Sequence, residues 1–425
     1  MTIETALPTA VSHNKKKPAL LERFARRAAF AALARLRHGR LTLHEGDQTH
    51  VFGPESGRAV SIQVHSPRLY SRLLLEGSLG GGRAWIEGDW SCDDLPGLLR
   101  SLLSESKKVR PQGLMDSPLT RLASASRRLM SVLNRNSPEG SRRNIAAHYD
   151  LGNDFYQAML DPSMTYSSAL FSSATDSLES AQTAKYDRLC KALDLRPEHR
   201  LLEIGSGWGG FAIHAAGQYG CHVTTSTISQ EQFEWVSKTV SLHGLDERIE
   251  VLCEDYRNLD GQFDRLVSIE MIEAVGAEYL DTFFSVCSDR LTPEGMMGLQ
   301  AIIIRDQAYE RSRKHVDFIK QYVFPGGFLP SVAAISDRIS RVTDFRMHSL
   351  HDMTSDYAET LRRWRQNLSD APHAYHAVSG RAEFKRLWEF YLAYCEAGFE
   401  ERHIGCVQIT LTKSDWRDAR TPNSS

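Results

Sequence analysis

The chain lacks any run of the roughly 18 uninterrupted apolar residues that a membrane-spanning helix requires, so no helical span is expected. It also lacks an N-terminal apolar core followed by a small-residue cleavage site, and secretion is not expected. Its 7 cysteines, Cys92, Cys190, Cys221, Cys253, Cys287, Cys395 and Cys406, show no CxxC spacing. Free thiols in a reducing cytosol fit that pattern, and a metal site does not. No internal repeat and no nucleic-acid module is visible. What remains is ordinary for a globular protein: 41% hydrophobic and 24% charged residues over 425 positions, enough for two or three domains with buried cores.

A net charge of −2 hides an uneven distribution. Lys15, Lys16, Lys17, Arg23, Arg26, Arg27, Arg35, Arg37 and Arg40 crowd the start. Lys107, Lys108, Arg110, Arg121, Arg127, Arg128, Arg135, Arg142 and Arg143 form a second basic segment. Without a nucleic-acid module, anionic phospholipid headgroups are the expected partner, and a solvated basic face stays open beside that reading.

Residues 1–18 read as a disordered basic terminus. From Ala19 to about Leu36, apolar and basic residues recur at helical spacing. Leu41-Thr42-Leu43 and His50-Val51-Phe52 flank Glu45-Gly46-Asp47 as a hairpin, and Val60–Val64 reads as another strand. With short helices through Leu103, residues 19–105 form a small α+β domain. Residues 106–142 read as a basic connector with one helix from Leu119 to Leu133, and 413–425 as a disordered tail.

Between them, residues 143–412 alternate strands with helices. The strands are Arg200–Ile204, Cys221–Ser226, Ile249–Cys253, Phe263–Ile269, Met296–Ile304, Phe345–Leu350 and Cys406–Leu411. Helices are predicted over 209–218, 229–243, 277–290, 306–320, 331–341, 355–368 and 380–402. This alternation predicts an α/β fold: a doubly wound, mostly parallel sheet covered on both faces, with a ligand at the C-terminal strand ends.

The ligand signal is Leu201-Leu202-Glu203-Ile204-Gly205-Ser206-Gly207-Trp208-Gly209-Gly210. Read as G-x-G-x-x-G, it would cradle a dinucleotide pyrophosphate and needs a carboxylate about 20 residues on to hold the ribose. The next strand ends in Ser226-Thr227-Ile228-Ser229, with no acid. Read as E-x-G-x-G-x-G, it is the loop of a class I methyltransferase, whose ligand, S-adenosylmethionine, has no phosphate to cradle. The missing acid favours the second reading, and a tight strand–helix turn without a ligand stays open.

His148-Tyr149-Asp150-Leu151-Gly152-Asn153-Asp154-Phe155-Tyr156, followed by Met164-Thr165-Tyr166-Ser167, is similar to the cyclopropane-fatty-acyl-phospholipid synthase family, which includes the mycolic acid cyclopropane synthases. Ser180-Ala181-Gln182, Thr227-Ile228-Ser229-x-x-Gln232, Glu254-Asp255-Tyr256-Arg257 and Tyr322-x-Phe324-Pro325-Gly326-Gly327-x-Leu329-Pro330 extend the resemblance across about 143–412. It implies a class I methyltransferase (Rossmann-like) fold with a seven-stranded sheet, and Gly88-Asp89-Trp90 marks the N-terminal domain as the lipid-side one. It also implies S-adenosylmethionine contacts at Tyr166, Ser167, Glu203, Gly205, Gly207, Trp208, Gly209, Thr227, Ile228, Gln232, Asp255 and Tyr256. Thr227 and Gln232 offer neutral hydrogen bonds where the strand end carries no acid.

The implied chemistry is demanding. An isolated alkene is a weak nucleophile and must meet an activated methyl group in a dry, aligned site. A cation then forms, and a base must remove a proton as a ring closes. In the family that base is thought to be bicarbonate, held by cysteine, glutamate, histidine and tyrosine. The resemblance places the glutamate at Glu273 and the tyrosine at Tyr357, whereas Ser168 replaces the cysteine and Gln300 the histidine, and Ala274 stands where another histidine is usual. Bicarbonate held by these neutral donors and a contribution from Glu270 both stay open, and burial would raise the pKa of such a glutamate. Cys395 matches a position long treated as active-site, although alkylation of an alkene needs no thiolate.

The expected activity is transfer of a methylene unit from S-adenosylmethionine to the cis double bond of an unsaturated phospholipid acyl chain. The alternative is the same transfer ending in a methyl or methylene branch without a ring. A lipid-binding protein without catalysis and a small-molecule methyltransferase are weaker readings, since the first needs no cofactor loop and the second no lipid-side domain. The expected setting is the cytoplasm, peripheral to the inner membrane surface, with a homodimer left open.

Overall fold

The computed structural model describes residues 20–108 and 152–418. The expected disordered terminus, the helix 119–133, nearly all of the connector, His148–Leu151 and the end of the tail lie outside the described residues. The chain folds into two compact units. Of the described residues, the first unit takes 20–108, 314–325 and 364–403, and the second takes 152–313, 326–363 and 404–418.

In the first unit, helix Leu20–Leu33 precedes β1 (Arg40–Glu45), β2 (Gln48–Phe52), β3 (Ala59–Val64) and β4 (Trp90–Cys92), which form a sheet in the order β2-β1-β3-β4. Gly46, with φ +56°, turns β1 into β2, and Glu45 faces Gln48 across the hairpin. Asp89 is fully buried and is held by Arg68 at 2.8 Å and Arg72 at 3.0 Å. Helix Ala382–Glu400 belongs to this unit and packs on helices 78–86 and 95–108. A Cβ on Gly82 would lie 2.5 Å from Phe318, so glycine there permits that approach.

The second unit is built on one sheet in the order β10-β11-β9-β8-β5-β6-β7. These strands are β5 (Arg200–Ile204), β6 (His222–Thr227), β7 (Ile249–Cys253), β8 (Phe263–Ile269), β9 (Leu291–Ile304), β10 (Arg346–Asp352) and β11 (Ile404–Thr412). Pairing is parallel from β7 through β9, and β11 runs antiparallel to β9 and β10. The apolar strands form because successive side chains serve opposite faces. Leu202, Ile204 and Leu266 enter one core cluster, while Leu201, Val223 and Val267 enter another.

β5 pairs with β6 on one side and β8 on the other, so the strand order reverses there. A crevice at its C-terminal end follows from that reversal. The segment 209–218 is helical, with Gly210–His214 as α-helix and Ala215–Tyr219 as a π turn. The segment from Lys413, expected to be tail, is tied down as far as Trp416. Lys413 pairs with Asp344 at 2.6 Å, and Trp416 meets the His348 ring.

Candidate active site

The loop after β5 is fixed by its own backbone. The N–H groups of Gly205 and Ser206 both donate to the Ser226 carbonyl at the end of β6, at 3.0 and 2.8 Å. Gly205 and Gly207 take φ of +94° and +50°, and Gly209 takes +89°. These angles favour glycine. A Cβ on Gly207 would meet nothing within 4 Å among the described residues.

Around this loop, Trp208 donates from Nε1 to Asn153 at 3.0 Å, and its ring lies 4.7 Å from Tyr156, which in turn lies 5.6 Å from Tyr166. Thr227 donates to Gln232 Oε1 at 2.9 Å, while its hydroxyl accepts from the Ser229 N–H. Ile228 lies between them in the chain and is half-buried. Asp255 caps the turn Tyr256–Asn258 and grips Arg257 at 2.8 and 2.6 Å. The Tyr256 hydroxyl is buried without a hydrogen-bond partner among the described residues. Glu203 accepts from Thr225 at 2.6 Å, and burial pushes its pKa up to about 8.

Neutral hydroxyl and amide groups, an orphaned tyrosine hydroxyl and an acid able to accept from an adenine amine fit S-adenosylmethionine. Gly205, Gly207, Thr227, Gln232, Asp255 and Tyr256 would hold it.

The other end of the site gathers around Glu270. Its carboxylate accepts from the Ser168 N–H at 2.9 Å, Gln300 Nε2 at 2.7 Å and the Tyr357 hydroxyl at 2.6 Å. Cys406 Sγ lies 3.7 Å from the same carboxylate. Glu270 has φ +50°, a conformation a non-glycine residue adopts at a cost. Burial raises its pKa, while Tyr357, the Ser168 N–H, Gln300 and the charge of Lys185 oppose that rise.

The orientation of Gln300 is determined from a distance. Arg188 only donates, and it donates to Gln408 Oε1 at 2.8 Å. Gln408 must then turn its amide N–H toward Gln300 Oε1, at 2.9 Å, which leaves Gln300 to donate to Glu270. Register makes this possible: Gln300 on β9 pairs with Ile269 on β8 and with Gln408 on β11.

Glu273 is arranged differently. Its Oε1 accepts from the Ile302 N–H, and its Oε2 is buried without a partner among the described residues. Burial first, and the charge of Glu270 second, push its pKa up to about 8.

The structure thus brings Ser168, Gln300 and Tyr357 together, but on Glu270. Ser168 contributes its N–H, and its hydroxyl donates to the Ala169 carbonyl instead. The residues expected to hold bicarbonate present their donors to a protein carboxylate, so they do not fit a bound bicarbonate. Cys395 belongs to the other unit, on helix Ala382–Glu400, where burial pushes its thiol well above the ordinary range.

Lys185 is a site residue that sequence reasoning misses. It is fully buried, donates to Ser167 at 2.7 Å, and burial lowers its pKa to about 8. Its signal is a charged residue on the buried stripe Ala181, Gln182, Lys185, Tyr186, Leu189 of helix Leu178–Ala192. Gln182 on the same stripe donates to the Ser167 carbonyl at 2.9 Å, so this helix positions Tyr166-Ser167.

Comparison with known proteins identifies the family. Residues 136–409 match the family model described as mycolic acid cyclopropane synthetase. The chain is 35% identical to a tuberculostearic acid methyltransferase of Mycobacterium tuberculosis, over 97% of this chain and 99% of that protein. It is 37% identical to the cyclopropane-fatty-acyl-phospholipid synthase of Escherichia coli K12, over 83% of this chain and 87% of that protein. Among solved structures, a mycolic acid cyclopropane synthase complexed with SAH and CTAB superposes with a TM-score of 0.60 at 32% identity, covering 64% of this chain and 98% of that one. By fold and by sequence the chain is an S-adenosylmethionine-dependent methyltransferase and belongs to the mycolic acid cyclopropane synthetase family.

Proposed function

We propose that this enzyme transfers a one-carbon unit from S-adenosylmethionine to the cis double bond of an unsaturated phospholipid acyl chain, working at an anionic membrane surface from the cytoplasmic side. One observation carries the reading: a methyltransferase cofactor loop and a buried carboxylate held by three donors lie in one unit. S-adenosylmethionine supplies a methyl group made electrophilic by its sulfonium. The protein's part is to align the alkene, exclude water and accept the proton that the resulting carbocation on the acyl chain must lose.

Ring closure is the first product reading and follows the similarity to the Escherichia coli synthase. A methyl or methylene branch is the second. It is favoured by Glu270, a tethered carboxylate among the donors the family uses for bicarbonate, and by the near full-length similarity to the tuberculostearic acid methyltransferase. Membrane contact is supported by helix Leu20–Leu33, where Leu20, Leu21 and Phe24 are exposed beside exposed Arg23 and Arg27. Among the described residues, no helix is long and apolar enough to cross a membrane.

The test is fatty-acid analysis after incubation with trideuteromethyl cofactor and monounsaturated phospholipid vesicles. A ring or a methylene branch keeps two deuteriums, a methyl-branched alkene keeps three, and proton NMR separates ring from methylene. Acyl chains without added carbon would refute the proposal.

A further inference from the structure

Glu270 is the group the family mechanism leaves unexplained. Its backbone sits in the left-handed region, its carboxylate collects three donors, and a polar chain from Arg188 through Gln408 and Gln300 ends on it. Glu270 as a whole residue is partly exposed, while its carboxylate is buried among these donors. Glu273 does not compete for these donors, since its Oε1 takes the Ile302 N–H. The anion that this cradle holds is therefore part of the chain.

We propose that Glu270 is the built-in base of this enzyme, in place of an external bicarbonate, and that Arg188, Gln408 and Gln300 are its positioning residues. The inference rests on the reading that the enzyme alkylates an acyl double bond. After methyl transfer leaves a cation on the acyl chain, either a C–H bond of the new methyl group breaks and its electron pair forms the last ring bond, or a C–H bond next to the cationic carbon breaks and its pair forms a double bond. In both cases the proton goes to a Glu270 carboxylate oxygen. The acid later releases the proton to water, and no oxidant or reductant is consumed.

The polar chain explains how Gln300 serves where the family has a histidine. An amide carries no charge, but here its donor end is fixed by Gln408, whose own oxygen is held by the permanently charged Arg188. Hydrogen bonds in series polarise one another, so part of that charge is felt at Glu270.

Two variants separate the base from the cradle. Glu270→Gly vacates the cradle and suits the φ of +50°. Glu270→Gln keeps the cradle filled but removes the base. In buffer freed of carbon dioxide, calorimetric titration with bicarbonate is expected to give binding to Glu270→Gly alone. Retained S-adenosylmethionine binding verifies that both variants fold.

In methyl-transfer assays the wild-type rate is expected to stay within about twofold without bicarbonate. Glu270→Gln is expected to lose about 10²–10⁴-fold, the usual worth of a general base. Glu270→Gly should regain at least about tenfold on adding bicarbonate. Bicarbonate binding to the wild type, or none to Glu270→Gly, overturns the inference, as does a bicarbonate-dependent wild-type rate. A bicarbonate-dependent rate would leave acyl alkylation standing. Absence of any transfer would instead refute that reading, and the calorimetry would still decide what fills the cradle.

Discussion

Replacing Tyr357 by phenylalanine removes the hydroxyl that donates to Glu270. The phenol is nearly buried, and its hydroxyl donates to Glu270 at 2.6 Å. A hydrogen bond to an ionised group contributes about 1.5–3 kcal/mol. Losing it disfavours the carboxylate form, and since 1.36 kcal/mol is a tenfold change, ionisation becomes about 10- to 150-fold less favourable. The donor stabilises the charged state, so its loss raises the Glu270 pKa further.

The base must be ionised to act, so the acidic limb of the pH–rate profile should move to higher pH. At neutral pH, methyl transfer should fall by up to about the same 10- to 150-fold and recover as pH rises. Lys185, whose pKa burial lowers to about 8, and Glu273, whose pKa burial raises to about 8, also face this region. The comparison is therefore between Tyr357→Phe and wild type at each pH, using labelled S-adenosylmethionine and monounsaturated phospholipid vesicles. A loss of equal size at every pH would show a structural role for Tyr357 and refute the reasoning, and so would an unmoved profile.

Other expectations concern the cofactor end and stability. Glu203 has a folded pKa of about 8 against an ordinary 4.5, so the folded state binds more protons between those values and stability falls as pH rises through that window. Glu203→Gln can still accept from Thr225, so its thermal midpoint should fall less than wild type between pH 5 and pH 8, by differential scanning fluorimetry. Gly207→Ala imposes a left-handed conformation at a cost of about 1–2 kcal/mol and adds a Cβ to the loop, so S-adenosylmethionine affinity should drop at least about tenfold by calorimetry. Cys395→Ala should lower the melting temperature by a few degrees and leave kcat within about threefold, because a thiol pushed up by burial offers little thiolate.

Much of the second unit is legible in the sequence. Arg200–Ile204, Ile249–Cys253 and Phe263–Ile269 are the observed strands to the residue, because buried parallel strands are apolar runs bounded by turn and cap residues. The strand pairing around Glu270 is not legible there. The family resemblance groups Ser168, Gln300 and Tyr357 with Glu273, and only the register of β9 against β8 and β11 puts Gln300 beside Glu270 and Gln408. A local pattern carries no information on which distant strand becomes a neighbour.

The membership of 314–325 and 364–403 in the first unit is likewise hidden from the sequence. Their helical periodicity shows that one face is buried, without naming what covers it. Lys185 sits on such a face, where a lone charge among apolar neighbours is the available clue.

The central claim is alkylation of an acyl double bond with the base supplied by the chain. The most direct measurement is retention of the labelled methyl carbon of S-adenosylmethionine in phospholipid acyl chains, in buffer stripped of bicarbonate, for wild type and Glu270→Gln. Wild type is expected to label the acyl chains at its full rate, and the variant to lag by at least about 10²-fold while binding the cofactor normally. Label absent from the acyl chains, or equal labelling by both proteins, would contradict the account.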